Sequence, residues 1–220
     1  MRTIDATHIE MKDNKQDKKK ELPGRILLAM LLFQLLLFPA SWLVTALFPE
    51  LATNSLLSDE GIRRFLGYFT SNLQSPFLIW LLLLSMAYGL YTGSGLSEAL
   101  SRKRHGGKLA YLHNFALKVV AAEAVVSVII LTLLLALPSG PMLSVTGQVF
   151  PSSFSRSVVP LLAMAVSAFS ITFGIFSRTM RKVSEMFEAM KKGLADCSPF
   201  IIYFIVVVEL FYSLRFIFGF

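Results

Sequence analysis

Three ionisable residues stand in otherwise apolar sequence: Glu123, Glu209 and Arg215. Glu123 and Glu209 each lie about ten residues into a run long enough to cross a bilayer, which puts them ~12–15 Å deep at a rise of 1.5 Å per residue. Arg215 is one and a half helical turns past Glu209, so about 9 Å farther along and on a different face. A charge at the bilayer centre costs at least ~2.5 kcal/mol on insertion scales, so such groups need partners or water. Two arrangements meet that need. One is a proton- or ion-linked site built from Glu123 and Glu209. In the other, each carboxyl is protonated or hydrogen-bonded between helices, with Lys118 and Arg215 reaching outward along their stems.

Other chemistry is sparse. The chain has no HExxH, nucleophile elbow, phosphate loop or paired-carboxylate motif. Gly93-Ser94-Gly95 lacks the third glycine and the preceding strand of a dinucleotide loop. Cys197 is the single cysteine, and His8, His105 and His113 show no metal-ligand spacing. The expectation is therefore a protein with no enzymatic role, metal or cofactor.

Composition says what positions the ionisable groups. Of 220 residues, 55% are hydrophobic, above the ~45–50% of soluble proteins. Mean hydropathy is +0.63, and charge is confined to short stretches, so the solvent is lipid. A spanning helix needs ~20 apolar residues, and five runs qualify: 26–48, 76–96, 111–137, 158–176 and 199–218. The first is about 23 residues long, too long for a signal-peptide core of ~7–15 residues, and no cleavage site follows it. The predicted organisation is a basic tail, 1–25, and an all-α polytopic membrane domain, 26–220.

Basic residues fix the orientation. The tail, the segment 102–118 and the segment 178–192 hold 17 of the 21 Lys and Arg, whereas the alternate loops hold Arg63, Arg64 and Arg156. This places the N-terminus in the cytoplasm and the C-terminus outside. The Lys12–Lys20 run reads as a disordered topogenic tail against an anionic leaflet, with no nucleic-acid partner. Its other reading is a nucleic-acid- or lipid-binding patch.

Two segments between spans are amphipathic. In Ser58–Asn72, Ile62, Phe65, Leu66 and Phe69 oppose Asp59, Arg63 and Arg64, which fits a helix lying in the interface. Arg181–Asp196 sets Val183, Met186, Phe187, Met190 and Leu194 against Glu185, Glu188, Lys191 and Lys192. It is expected at the headgroups or, alternatively, as a partner site. The stretch 138–160, rich in Pro, Ser and Gly, reads as irregular chain. Small residues recur every four positions at Ser85, Gly89 and Gly93, at Ala163 and Ser167, and at Ser170 and Gly174, the spacing that lets helix backbones approach in lipid. Spans two and four are therefore expected in the interior or at a subunit contact, giving a homo-oligomer or a second membrane subunit as partner. Ser75-Pro76-Phe77 and Ser198-Pro199-Phe200 open spans two and five alike. The echo fits an inverted repeat, or two helices that each start with Ser at the N-cap and Pro at N1.

Three stretches together resemble the aminobenzoyl-glutamate transporter (AbgT) family. Ser55-Leu56-Leu57-Ser58-Asp59-Glu60-Gly61-Ile62-Arg63-Arg64 is similar to the family's approach to an early span. Ser94-Gly95-Leu96-Ser97-Glu98-Ala99-Leu100 is similar to one of its span ends, and Phe150–Pro160 to one of its Pro-Ser loops. The resemblance implies a bacterial inner-membrane protein linked to movement of aminobenzoyl-glutamate or a related organic anion. Family members carry two re-entrant hairpins with Asn- and Asp-rich substrate and ion sites. Here Ser101–Asn114 leads straight into span three where the first hairpin is expected, so no substrate residue carries over. That departure leaves a second expectation open, a non-transporting scaffold or accessory subunit.

Overall fold

A computed structural model of the chain describes residues 2–51, 53–136 and 153–219, with side chains placed over 21–50, 53–134 and 157–219. Every regular element among them is helical: α1 (Arg2–Leu47), a 3₁₀ turn (Pro49–Leu51), α2 (Asp59–Gly67), α3 (Phe69–Leu73), α4 (Pro76–Gly93), α5 (Leu96–Arg104), α6 (Tyr111–Ala136), α7 (Ser153–Phe176) and α8 (Val183–Phe218). Five helices are long and apolar enough to cross a membrane, in the five places the sequence predicts. Leu35, Leu36, Val125 and Val128 are each at least 60% exposed. So continuous an apolar surface is untenable in water and suits lipid.

The element bounds differ from expectation in physically instructive ways. The basic tail, expected as disordered chain, continues α1 back to Arg2, as its Lys, Glu and Gln content permits. Span two stops at Gly93, because Gly95 takes a left-handed φ of 79° and starts α5. Span four starts at Ser153, so residues 153–160, expected to be irregular, form its first turns with Pro160 inside. The rest of that expected loop, 138–152, lies outside the described residues. The amphipathic segment 181–196 and span five are one 36-residue helix, α8. Pro199 lies within it because the Ala195 carbonyl, which proline cannot serve, accepts from Ser198 Oγ at 2.8 Å. Ser75-Pro76 does open a helix, so the two Ser-Pro-Phe sequences occupy different structural positions.

The chain divides into two compact units, Met1–Leu78 with Pro199–Phe220, and Ile79–Ser198. In the first, α1 is joined to the second half of α8 by polar bonds. Gln34 Nε2 donates to Ser213 Oγ at 2.7 Å, and Tyr203 Oη donates to the Pro23 carbonyl at 2.6 Å. Such interhelical bonds are worth about 0.6–2 kcal/mol in membranes. Asn54 ends α8, its backbone N–H donating to the Ile217 carbonyl and its side-chain amide to that of Phe216.

The Ser55–Arg64 stretch has a clear local logic. Ser58 caps α2, accepting from the Gly61 N–H at 3.1 Å and donating to the Ser55 carbonyl at 2.7 Å. A Cβ on Gly61 would meet the Ser55 and Leu56 carbonyl oxygens at 2.5 and 2.6 Å. Leu56 is thereby pressed between Phe216, Ile217, Leu37 and Phe38. Ser58→Ala should cost about 1 kcal/mol through the lost cap. Gly61→Ala should cost more, since the obstructing atoms are backbone. Thermal unfolding of the purified protein in detergent orders the two.

In the second unit, α5, α6 and α7 pack through Leu96, Ala99, Ala116, Leu117 and Phe173. The first half of α8 lies on α4, where a Cβ on Gly89 would strike the Ala189 carbonyl and one on Gly193 the Ser85 carbonyl. Ahead of α8, the Arg181 and Lys182 backbone N–H groups donate to Glu185 Oε2 at 2.6 and 3.3 Å. They hold that exposed carboxyl below its ordinary range, so this support to the first turn fades as pH falls through the lowered value.

Candidate functional site

The second half of α8 carries Glu209, Tyr212, Ser213 and Phe216 at i, i+3, i+4 and i+7, one face of a helix. Opposite them, α2 supplies Gly61, Arg64 and Phe65, and the break between α2 and α3 supplies Tyr68. Asn72 of α3 and Leu56 complete the wall of a cavity of about 190 Å³. The local fold explains the enclosure. Ser58 and Gly61 hold α2 in place, the Phe38 ring meets the Phe65 ring edge-on at 5.0 Å, and Asn54 fixes the end of α8.

Glu209 is the group this arrangement isolates. It is 5% exposed, and among the described residues neither carboxylate oxygen has a hydrogen-bond partner. The Asn72 side chain is near enough to act on it, but the pair falls short of hydrogen-bond geometry. The guanidinium of Arg64 lies over the Phe216 ring, 5.3 Å from its centroid. Phe216 is seven residues past Glu209, about 10 Å along the helix axis, and no ion pair joins Arg64 to Glu209 among the described residues. The cavity lining therefore combines an acid, a cation not paired with it, and the aromatic residues Phe65, Tyr68, Tyr212 and Phe216. At that volume it suits a small ion with its waters or one substituted ring, since a cavity of about 150 Å³ takes up benzene.

The other ionisable candidates lie elsewhere. Glu123 is in α6, in the second unit, half-buried, with Oε2 buried and without a partner among the described residues. Arg215 is exposed on another face of α8, and Lys118 is exposed on α6. Of the packing candidates, Ser85, Gly89 and Gly93 form the α4 face that meets Ala189, Gly193 and Met180. Ser170 is fully buried, with its hydroxyl donating back to the Val166 carbonyl, and Ser167 donates likewise to Ala163. Gly174 sits under the Met180 side chain, 3.1 Å from where its Cβ would be. The small residues of α4 thus serve contacts within the chain.

Asn72, Gln34, Ser213 and Gly193 escape a reading of the sequence alone. Gln34 gave a signal, as the one amide in the first span. Gly193 gave a weaker one, four residues past Ala189.

A family model described as the AbgT putative transporter family matches residues 83–215. Comparison with curated proteins and with solved structures yields no match.

Proposed function

We propose a function from one premise: this chain belongs to the AbgT transporter family, whose model covers more than half of it. It is a multi-pass, transporter-like membrane protein. The function proposed is movement of a small organic anion, aminobenzoyl-glutamate or a relative, with Glu209 as the ionisable group at work inside the membrane. One observation carries the role of Glu209: both its oxygens are buried beside a cavity with no hydrogen-bond partner among the described residues. A carboxyl that served packing alone would be hydrogen-bonded, because desolvating it otherwise brings no return.

A second function is a non-transporting scaffold or accessory subunit that oligomerises or docks on another membrane protein. It is favoured by the link from α5 to α6, residues 105–110, which is too short for a re-entrant hairpin. Purified protein in liposomes separates the two. Flux of labelled aminobenzoyl-glutamate above that of empty liposomes supports transport by the chain itself. No flux above that level sinks this mechanism in favour of the accessory function.

The 17-to-3 distribution of basic residues supports a cytoplasmic N-terminus and an external C-terminus in a bacterial inner membrane. With Cys197 replaced by serine, a cysteine at position 153 is expected to react with an impermeant maleimide added to intact cells. Reaction only after permeabilisation would invert this topology.

A further inference from the structure

A groove in the second unit joins one basic side chain to an apolar floor. Its wall on α5 is Leu96, Leu100 and Lys103, at i, i+4 and i+7, one face of that helix. Leu96 is anchored in the packed cluster with Ala99, Ala116 and Phe173, so this face is fixed at its start. Farther along, Leu100 is 51% exposed, and Lys103 is exposed. The floor is the α6 face from Leu117 to Ala124, and α7 closes the other side with Val166 and Phe169. The small side chains of Ala121 and Ala124 are what leave the hollow there. Exposure of Leu100, Ala121 and Val166 keeps the groove open to the surrounding lipid.

Size and charge then select the occupant. The groove encloses about 350 Å³, and Leu117 to Ala124 is ~10 Å along the α6 axis. A helix with its side chains, 10–12 Å across, would need roughly twice that volume over the same length. An alkyl chain is slimmer and is what the surrounding solvent supplies. Between Leu96 and Lys118 stand five basic residues, Arg102, Lys103, Arg104, Lys108 and Lys118, and one acid, Glu98. Glu98 approaches Arg102 at 3.7 Å, and Lys103 makes no ion pair among the described residues. A lysine stem lies along apolar surface while its ammonium keeps to the polar boundary, where a lipid phosphate would stand. Basic pockets between membrane helices hold anionic headgroups in this way. A zwitterionic headgroup brings its own cation to the same place, so net negative charge is favoured.

We propose that this groove binds one anionic phospholipid, with an acyl chain along α6 and α7 between Leu117 and Ala124 and its phosphate at Lys103. The site draws on the second unit alone and is independent of the role given to Glu209.

The probes are phosphatidylglycerol and phosphatidylcholine with identical acyl chains, each carrying a photoactivatable diazirine in one chain. The purified full chain in nonionic detergent is titrated with either lipid and illuminated, and the labelled residues are located by mass spectrometry. Labelling is expected within 117–124 and 166–169, with half-saturation by phosphatidylglycerol at about fivefold lower concentration than by phosphatidylcholine, the contribution of one basic residue. Lys103→Gln should remove that preference. Lys192→Gln, which removes an exposed lysine of α8 that is not part of the groove, should leave it intact. Ala124→Leu fills the floor and should suppress labelling at 166–169 by both lipids. Ala121→Leu serves the same purpose if circular dichroism shows Ala124→Leu unfolded. Equal half-saturation by the two lipids would overturn the proposal. So would a preference for phosphatidylglycerol that survives Lys103→Gln, or labelling confined to residues outside the groove.

Discussion

Gly89→Leu and Gly193→Leu are each expected to abolish the folded monomer. Adding even one Cβ at either position drives it into backbone of the facing helix: the Ala189 carbonyl and Gly193 Cα in one direction, the Ser85 carbonyl and Gly89 Cα in the other. Overpacking costs about 1–3 kcal/mol where neighbouring side chains can shift. Here backbone cannot shift without separating α4 from α8, so the cost should exceed that range. Apolar burial cannot compensate in lipid, where close approach is itself the source of helix association. Gly93→Leu should be milder, since its nearest obstacles are the Ala189 Cβ and the mobile end of Met180. Size-exclusion profiles in detergent, with crosslinking in native membranes, provide the measurement. Aggregated or degraded monomer for Gly89→Leu and Gly193→Leu, with Gly93→Leu partly preserved, is the expected pattern. A normally folded monomer that has merely lost a crosslinked dimer would move this face from the chain's interior to a subunit contact.

The second large effect has opposite signs on stability and activity. Replacing Glu209 by Met should raise thermal stability while removing any transport-linked activity. A buried acid without partners is a liability to the fold, and exchanging buried ionic groups for apolar ones of similar volume is neutral or stabilising by about 1–4 kcal/mol. Groups retained against the interest of stability are commonly there for function. A marked loss of stability in Glu209→Met would instead identify Glu209 as a structural residue.

The fold was legible to the extent that lipid makes it so. Twenty-residue apolar runs announce themselves, and all five emerged as helices because hydrocarbon leaves a backbone few alternatives. Their ends were less legible. Pro199 looked like a helix start, and only the Ser198 hydroxyl reaching the Ala195 carbonyl explains why α8 runs through it. The amphipathic segment 181–196 suggested a helix lying at the headgroups. Its Ala189 and Gly193, unremarkable among the Met, Phe and Lys around them, proved to form the surface that α4 occupies. Glu209 was legible as an expensive residue in an apolar run. Its surroundings were not, since Arg64 and Asn72 come from α2 and α3, more than 130 positions away in sequence. What brings them near is the Ser58 cap, the close approach at Gly61 and the Asn54 bonds to α8. These are local features whose joint effect appears only in three dimensions.

We propose that this chain takes part in moving an organic anion and that Glu209 is at work when it does. The direct measurement is accumulation and efflux of labelled aminobenzoyl-glutamate in cells lacking the chain, cells carrying it, and cells carrying Glu209→Gln at equal membrane abundance. The chain should shift the steady-state level away from that of cells without it, and Glu209→Gln should return the level to that baseline. Identical levels with and without the chain would contradict the function, and a Glu209→Gln level equal to that of the unsubstituted chain would contradict the role given to Glu209.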